Sequence, residues 1–194
     1  MNKRELRVKL RKMRADMPRP AQLHAALALQ RIAMRQHLLL RHRRIGFYLP
    51  FQGEMSLLPL INHSLWQGKS CHLPVVPVRG QKQLWFSPLS AEPSWYHNRF
   101  GIHEHWSPRN VRAKRLDLLF IPLVAFDEAG YRLGMGGGFY DASLAYLRRR
   151  KVWRKPYLVG VGYEYQKVAQ IPRDPWDVPL DAVITEKRLY RFRL

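Results

Sequence analysis

The chain has 194 residues, a hydrophobic fraction of 46% and a formal net charge of +20. This length suits one ordinary globular domain over residues 1–194, and the composition excludes a disordered chain. No apolar run reaches about 18 residues, and none follows the basic N-terminus, which argues against a membrane span or a secretory signal. The single cysteine, Cys71, cannot form an intrachain disulfide, so we expect a reducing compartment, the cytoplasm.

The strong positive charge leaves two interpretations open. Such a field attracts polyanions in general, including nucleic acids, nucleotides and a polyglutamate tail. The basic residues recur in short groups along the chain and form no long tail, which favours an ordinary solvated surface. A nucleic-acid-binding protein is the alternative from another class, because Trp and Tyr alternate with Arg over residues 95–115.

Hydrophobic spacing predicts alternating helices and strands. In chain order these are a helix at 3–17, a helix at 20–40, a strand at 44–50, a helix at 56–67, strands at 70–78, 84–87 and 116–121, a helix at 139–150, and strands at 157–163 and 182–185. Residues 88–114 are expected to form a long loop with little regular structure. The alternation predicts an α/β fold, with a central, largely parallel or mixed sheet flanked by helices in one domain.

Two smaller features have a structural and a functional interpretation. His103-Glu-His105 would place two histidines on one face of a strand, but no third ligand has convincing spacing for a metal. Incidental polar residues in a loop are therefore the favoured interpretation. Cys71 lies in a predicted buried strand, where an inert, small apolar side chain is expected.

A glycine-rich segment, Gly134-Met-Gly-Gly-Gly138, lies between an apolar strand and a predicted helix. These glycines allow positive φ and close approach of the backbone to a ligand. Backbone N–H groups in such a turn, followed by a helix N-terminus, form a phosphate site, and Arg132 adds charge. Asp141 suits Mg²⁺ beside bound phosphates, although a plain helix cap is the alternative. The segment fits neither the P-loop nor the dinucleotide-binding pattern.

Residues Gly130-Tyr-Arg-Leu-Gly-Met-Gly-Gly-Gly-Phe-Tyr-Asp141 closely resemble the signature of the 5-formyltetrahydrofolate cyclo-ligase family, also called methenyltetrahydrofolate synthetases. The preceding strand and its Ala-Phe-Asp127 turn are also similar to that family. Further similar segments follow the family order: the basic first helix with Lys3 and Arg7, Phe47–Glu54, Phe100–Glu104 and Pro179–Glu186. The resemblance therefore spans nearly the whole chain.

The resemblance implies a fold related to the ribose-phosphate isomerase and CoA-transferase group. It also implies an ATP- and Mg²⁺-dependent ligase that converts 5-formyltetrahydrofolate to 5,10-methenyltetrahydrofolate, with release of ADP and phosphate. In this reaction the formyl oxygen is phosphorylated and N10 attacks the activated carbon. The expected partners are ATP and the folate, with or without a polyglutamate tail, and a monomer is expected. A sugar-phosphate isomerase or CoA-transferase relative is the second alternative, because fold kinship alone does not exclude it.

The resemblance assigns implied roles to residues of this sequence. Arg132 and Tyr140 are the implied catalytic residues. The implied ATP contacts are Lys3, Arg4, Arg7, Arg132, Leu133, Gly134, Met135, Gly136, Gly137, Gly138, Phe139 and Tyr140. The implied folate contacts are Leu49, Glu54, Gly136, Gly137, Gly138, Phe139 and Tyr140, and the implied Mg²⁺ ligands are Asp141 and Asp181.

Two positions depart from the family pattern. Met135 stands where many members carry a basic or aromatic residue, and Phe139 stands where many carry a Tyr. Since Met135 contributes no positive charge, we expect Arg132 and the N-terminal basic residues to carry more of the phosphate charge. Phe139 keeps the ring and loses a hydroxyl group.

Overall fold

The computed structural model describes residues 2–89, 95–105, 107–149 and 155–192. In chain order its helices and strands are α1 (Lys3–Ala15), α2 (Arg19–Arg35), β1 (Arg44–Gly46), α3 (Leu58–Trp66), β2 (Ser70–Val75), β3 (Trp85–Pro88), β4 (Trp95–His97), β5 (His103–His105), β6 (Leu118–Pro122), β7 (Ala125–Phe126), β8 (Arg132–Leu133), α4 (Phe139–Ser143), β9 (Tyr157–Val161), β10 (Ala182–Ile184) and β11 (Leu189–Arg191). Short 3₁₀ segments cover Ala113–Arg115, Ala145–Arg149 and Glu164–Gln166.

The central sheet contains seven of the described strands, in the order β11-β10-β9-β6-β1-β2-β3. The five inner strands, from β10 to β2, run parallel, whereas β3 and β11 join the two edges in antiparallel orientation. Parallel neighbours need crossover connections, and α3 supplies the one between β1 and β2. Because the inner strands share a direction, the loops after β1, β2, β6 and β9 all leave the same edge of the sheet.

Both faces of the sheet are buried, as β6 shows. Leu118 and Phe120 pack on one face with residues of α2 and α3. Leu119 and Ile121 pack on the other face with Leu144 and its neighbours. A strand that is covered on both sides needs apolar residues at every position, which explains its continuous apolar run. The predicted α/β class, with a central mixed sheet flanked by helices, is therefore confirmed.

Helix α1 begins at a capping box. The Asn2 side chain accepts hydrogen bonds from the backbone N–H groups of Arg4 and Glu5, and the Glu5 carboxylate accepts one from the Asn2 N–H. The apolar side chains of Leu6 and Leu10 are buried against the β7–β8 hairpin. This packing fixes the basic N-terminal helix beside the connection that follows β6.

Asp117 links the starts of three neighbouring parallel strands. Its carboxylate accepts hydrogen bonds from the backbone N–H groups of Arg43 at 3.1 Å and Arg44 at 2.9 Å, and from Lys155 Nζ at 2.8 Å. Its carbonyl also accepts a bond from the Tyr157 N–H at the start of β9. Burial alone would raise the pKa of this carboxyl group, but these donors outweigh burial and lower the pKa to about 2.

The prediction of a long loop over residues 88–114 is wrong. Strands β4 and β5 form an antiparallel hairpin there, in which Trp95 pairs with His105 and His97 pairs with His103. Each strand has only three residues, and the side chains are aromatic or polar throughout, so no apolar alternation reveals the hairpin. Residues 90–94 and 106 of the range lie outside the described residues.

The predicted helix at 139–150 is also wrong in length. Helix α4 ends at Ser143, and a 3₁₀ segment continues over Ala145–Arg149. The Ser143 hydroxyl donates to the Phe139 carbonyl at 2.6 Å, a local bond that competes with regular helix hydrogen bonding. Position 150 lies outside the described residues.

Other predicted elements exist but are shorter. Strands β1 and β2 end at Gly46 and Val75, and α2 ends at Arg35. The two-residue strands β7 and β8 and the edge strand β11 had no detectable sequence pattern. No helix in the described part of the chain is both long and apolar enough to cross a membrane.

Replacement of Asp117 by Asn should lower the free energy of unfolding at pH 7 by about 1–2 kcal/mol. This magnitude is discounted for solvent screening, because the Lys155 side chain is 66% exposed. The folded-state pKa lies below the unfolded value, so the contribution is complete above about pH 4 and is lost as the pH falls towards about 2. Chemical denaturation of both proteins across this range measures the difference.

The matched control is Asp16→Asn, at an exposed position at the end of α1. This variant should unfold with the free energy of the wild type, within about 0.5 kcal/mol, at every pH. A deficit of Asp117→Asn that stays constant from pH 7 to the acid end would contradict the assigned role of the carboxylate.

Candidate active site

A cavity of about 550 Å³ opens at the sheet edge where the inner parallel strands end. Its wall is formed by the loops after β1, β2 and β6, the start of α1, the β4–β5 hairpin and residues 174–177. These segments are far apart in sequence and meet because the parallel strands deliver their following loops to one edge. Open α/β sheets commonly bind ligands at such an edge.

The glycine-rich segment 134–138 lines one side of this cavity. Gly136 and Gly138 have φ values of 105° and 67°, in the left-handed region that other residues rarely adopt. The predicted positive-φ turn is therefore confirmed at these two positions. A Cβ atom on Gly138 would meet nothing within 4 Å, so the backbone of the turn is open to a ligand.

Asp141 lies in the first turn of α4 and on the cavity wall. This helix has only five residues, Phe139–Ser143. Since a helix dipole sums over aligned peptide units, such a short helix contributes less to anion binding than the sequence suggested. The capacity of this edge to hold an anion rests mainly on the turn and on nearby cations.

Lys3 and Arg7 lie on the cavity wall, and both bond to protein acceptors. Lys3 Nζ is 2.6 Å from Asp174 Oδ2 and 3.7 Å from Asp177 Oδ2. Arg7 Nε donates to the carbonyl oxygen of Gly134 at 2.8 Å. The second bond joins α1 directly to the glycine-rich turn.

Arg132 is the third cation on the wall, and its side chain is only 5% exposed. Its Nη1 donates to the Val178 carbonyl at 2.7 Å, and its Nη2 donates to Asp141 Oδ1 at 2.6 Å. These two bonds fix the guanidinium group beside the glycine-rich turn. The positive charge is thereby held next to the turn, although its Nη2 is already paired with a carboxylate.

Glu54, from the loop after β1, reaches the same cavity. Its side chain is 11% exposed, accepts a hydrogen bond from the Phe51 N–H at 3.2 Å and faces Arg14 Nη1 at 3.5 Å. Burial raises the pKa of Glu54, while Arg14 and the Phe51 N–H oppose that rise. Leu49, from the same loop, also lines the cavity.

Aromatic side chains complete the wall near Glu54. Tyr140 is held protonated, because burial and the nearby Glu54 charge raise its pKa. Its hydroxyl group is therefore a hydrogen-bond donor at neutral pH. Phe139 packs edge-to-face with Phe100, with ring centroids 6.1 Å apart, and both rings line the cavity.

Two of the implied site residues are not brought to the cavity wall. Arg4 is exposed on α1, and its backbone N–H donates to Asn2. Asp181 Oδ2 accepts a hydrogen bond from the Leu158 N–H at 2.6 Å, so this carboxylate is engaged with β9. Within the described residues, no group of three or more His, Cys, Asp or Glu side chains could hold a metal ion.

The cavity also contains residues that the sequence did not single out. Asp174 and Asp177, the partners of Lys3, have no periodicity or motif that marks them. The sequence favours an incidental loop residue at Glu104, and the structure corrects this expectation: Glu104 lies in β5 and is 2% exposed. The sequence signal that could have identified Glu104 was its place in the segment Phe100–Glu104, which is similar to the family.

Glu104 organises the β4–β5 hairpin at the cavity wall. Its carboxylate accepts bonds from the Val76 N–H at 2.8 Å, from Asn98 Nδ2 at 2.7 Å and from the Tyr96 hydroxyl. His105 is fully buried with Nδ1 2.9 Å from Ser87 Oγ. The hairpin is therefore anchored by its polar side chains.

Comparison with known proteins assigns this arrangement to a family. The family model described as "5-formyltetrahydrofolate cyclo-ligase family" matches residues 1–186. The chain belongs to this family. The 5-formyltetrahydrofolate cyclo-ligase of Haemophilus influenzae is 37% identical over 186 residues, which cover 92% of this chain and 94% of the relative. The Escherichia coli K12 protein of that name is 40% identical over 151 residues, covering 76% and 80%.

Solved structures give the same assignment. The 5,10-methenyltetrahydrofolate synthetase of Aquifex aeolicus has a TM-score of 0.82 and 30% identity, covering 100% of this chain and 94% of that one. A Mycoplasma pneumoniae synthetase, at 22% identity and a TM-score of 0.73, shares the fold. The resemblance seen in residues 130–141 is thus confirmed, and the protein is an enzyme of the cyclo-ligase family.

Replacement of Glu104 by Gln should loosen the β4–β5 hairpin. Loss of the negative charge turns three charge-assisted hydrogen bonds into weaker neutral ones, which we expect to lower the free energy of unfolding by about 1–3 kcal/mol. Amide hydrogen exchange over residues 95–105 should accelerate, and mass spectrometry measures it.

The matched control is Tyr96→Phe, which removes only one of the three bonds to Glu104. Its exchange rates should lie between those of the wild type and Glu104→Gln. Hairpin exchange that is identical in wild type and Glu104→Gln would show that the carboxylate does not anchor the hairpin.

Proposed function

We propose that this protein converts 5-formyltetrahydrofolate to 5,10-methenyltetrahydrofolate and, in the same reaction, ATP to ADP and phosphate. Membership of the cyclo-ligase family supports the folate and its product. One observation carries the rest: a single cavity holds a glycine-rich turn, three fixed cations and a buried carboxylate. A phosphate donor and a pterin can therefore meet in one space.

The nucleotide side of the proposal rests on the turn and the cations. Backbone N–H groups of residues 134–138 suit phosphate oxygens, and Lys3, Arg7 and Arg132 supply positive charge on the same wall. This set supports the expectation that other basic residues compensate for Met135. Leu133 also lines the cavity and packs against Leu6 and Leu10 of α1.

The folate side of the proposal rests on Glu54 and its neighbours. A carboxylate accepts the N–H donors of a pterin, and its burial makes those bonds strong. Leu49, Phe139 and Tyr140 offer apolar and aromatic surface beside it. The glycine-rich turn contacts Arg7 through Gly134, and it contacts Arg14, the neighbour of Glu54, through Met135. A formyl group bound near Glu54 would therefore lie close to phosphates bound at the turn.

The chemistry requires activation of a formamide, which is a poor electrophile because its nitrogen donates into the carbonyl group. The formyl oxygen attacks the γ-phosphorus of ATP, forming an O–P bond while the bond to ADP breaks. N10 then attacks the formyl carbon and loses its proton, and the C–O bond breaks as phosphate leaves. Arg132 would neutralise charge on the transferred phosphoryl group, and the protonated Tyr140 would donate a hydrogen bond to an oxygen of the reacting groups.

A magnesium ion fits this site as a companion of the nucleotide. Mg²⁺ needs only one or two protein carboxylates when phosphate oxygens and water supply its other ligands. Asp141 meets that need on the wall beside the turn, while Asp181 remains a ligand implied by the family alone. When bound, the ion supplies charge neutralisation to the phosphates.

The direct test mixes the purified protein with Mg-ATP and 5-formyltetrahydrofolate. Methenyltetrahydrofolate absorbance and ADP release should rise together, in equal amounts, and only when both substrates are present. Reactions without folate serve as the control for background ATP hydrolysis. Absence of folate-dependent ADP release would overturn the proposed function.

Replacement of Asp141 by Ala should reduce kcat by about a hundredfold or more, because a phosphate-bound cation loses its protein ligand. The apparent affinity for Mg²⁺, measured by titration at saturating ATP, should weaken in parallel. Asp16→Asn is again the control, since that exposed carboxylate lies outside the cavity wall. Near-normal turnover with unchanged Mg²⁺ dependence would show that Asp141 does not bind Mg²⁺ and serves only as the ion-pair partner of Arg132.

A further inference from the structure

Arg14 is buried near the C-terminal end of α1, with a side-chain exposure of only 2%. It is not among the residues that line the cavity. A guanidinium group loses much hydration free energy on burial unless it is paired. The general basic character of the helix therefore does not explain why this side chain is buried.

Three contacts explain this burial, and they connect Arg14 to segments on two different walls of the cavity. Arg14 Nε donates to the Gln52 carbonyl at 3.0 Å, and Nη1 lies 3.5 Å from Glu54 Oε1. On the other side, Nη2 approaches the sulfur of Met135 at 3.9 Å. One side chain thus joins α1 to the Glu54 loop and to the glycine-rich turn.

The loop is shaped to receive this side chain. Gly53 has a φ of 75°, and a Cβ atom there would lie 2.7 Å from the Arg14 carbonyl oxygen. Gln52 also has a positive φ, of 47°. Such backbone conformations are costly outside glycine and persist where surrounding contacts hold them. The close contact with α1 is therefore part of what holds this loop in its strained backbone conformation.

The charge of Arg14 acts on Glu54, which lies 3.5 Å away. Burial raises the pKa of Glu54, and Arg14 is the leading influence that lowers it. The other titratable groups coupled to Glu54 are Tyr48, Tyr140 and Tyr163, all with raised pKa values and thus neutral at pH 7. Arg14 Nη1 makes no hydrogen bond, so loss of the carboxylate would leave a buried charge uncompensated.

We propose that Arg14 is a positioning residue that holds the Glu54 carboxylate in place for the pterin from behind the cavity wall. This inference rests on the proposed function, because it assigns Glu54 to the folate. Arg14 itself touches no substrate. Its contact with Met135 also ties the position of Glu54 to that of the glycine-rich turn.

The test measures kcat and both KM values for Arg14→Met and Arg14→Lys in the full chain. Arg14→Met should raise the folate KM on the order of tenfold or more, and the ATP KM less than about threefold. Arg14→Lys keeps the charge but not the planar fork, so it should recover part of the loss.

The pH profile of kcat/KM for the folate separates positioning from a merely structural role. Glu54 must be ionised to accept the pterin N–H groups, and loss of Arg14 removes an influence that lowers its pKa. The acid limb of the profile should therefore move to higher pH in Arg14→Met. In a Glu54→Gln background the group cannot ionise, so Arg14→Met should no longer move the acid limb.

Arg11→Met is the matched control. Arg11 lies on the same helix and its Nη2 donates to the Gln52 side-chain oxygen at 3.1 Å, but it is exposed. This variant should keep the wild-type folate KM and acid limb.

Two results would overturn the inference. The first is an equal rise of both KM values in Arg14→Met with the acid limb unchanged. The second, decisive where Arg14→Met does not fold, is a wild-type folate KM in Arg14→Lys. If the wild type itself forms no methenyltetrahydrofolate, the proposed function fails. If the wild type is active and the Arg14 variants have the same folate KM and acid limb as the wild type, this inference alone fails.

Discussion

The site depends on the parallel pairing of β1, β6 and β9 at the centre of the sheet. Strands that share a direction end at the same edge, so the chain that follows each of them meets the others there. Glu54 follows β1, and Arg132 with the glycine-rich turn follows β6. At the opposite ends of these strands, Asp117 bonds to the starts of β1 and β9 and helps to hold their alignment. A strand inserted between β1 and β6 would separate Glu54 from the turn.

Helix α1 completes the arrangement, because it presents cations along one side. Lys3, Arg7 and Arg14 are separated by four and seven residues, a spacing that keeps them on one face of a helix. At a rise of 1.5 Å per residue, the face spans roughly 16 Å from the first to the last. Lys3 and Arg7 therefore reach the cavity wall, where Arg7 contacts the glycine-rich turn, while Arg14 reaches the loop that carries Glu54. Leu6 and Leu10, which are buried against the sheet connection, set the rotation of the helix.

The fold was predictable where a pattern is local and strong. Leu6 and Leu10 mark the amphipathic α1, the apolar run of β6 marks a strand covered on both faces, and the glycines at 134–138 mark a turn with positive φ. The β4–β5 hairpin was not predictable, because its three-residue strands are held by the side chain of Glu104 and not by apolar alternation.

Other parts of the site could not be predicted, because they depend on contacts between residues that are far apart in the sequence. Asp174 is tied to the cavity by Lys3, a partner 171 residues away in sequence. Arg14 is one of several basic residues in α1, and neither its burial nor its contact with Glu54 can be read from helical spacing. A sequence pattern states which face of a helix is apolar, but it does not state which cation lies against which loop.

The cations on the cavity wall already have partners, which shapes how an anion can bind. Lys3 bonds to Asp174, Arg7 to the Gly134 carbonyl and Arg132 to Asp141, so a phosphate must compete with these acceptors. The competition is weakest at Arg7, whose acceptor is neutral. At Arg132 it has a second consequence. If the guanidinium turns towards a phosphate, Asp141 loses a partner at 2.6 Å, and its negative charge then stands beside a polyanion. Under the proposed function, a divalent cation between the two groups would remove that repulsion, so we expect phosphate and Mg²⁺ to bind to this wall together.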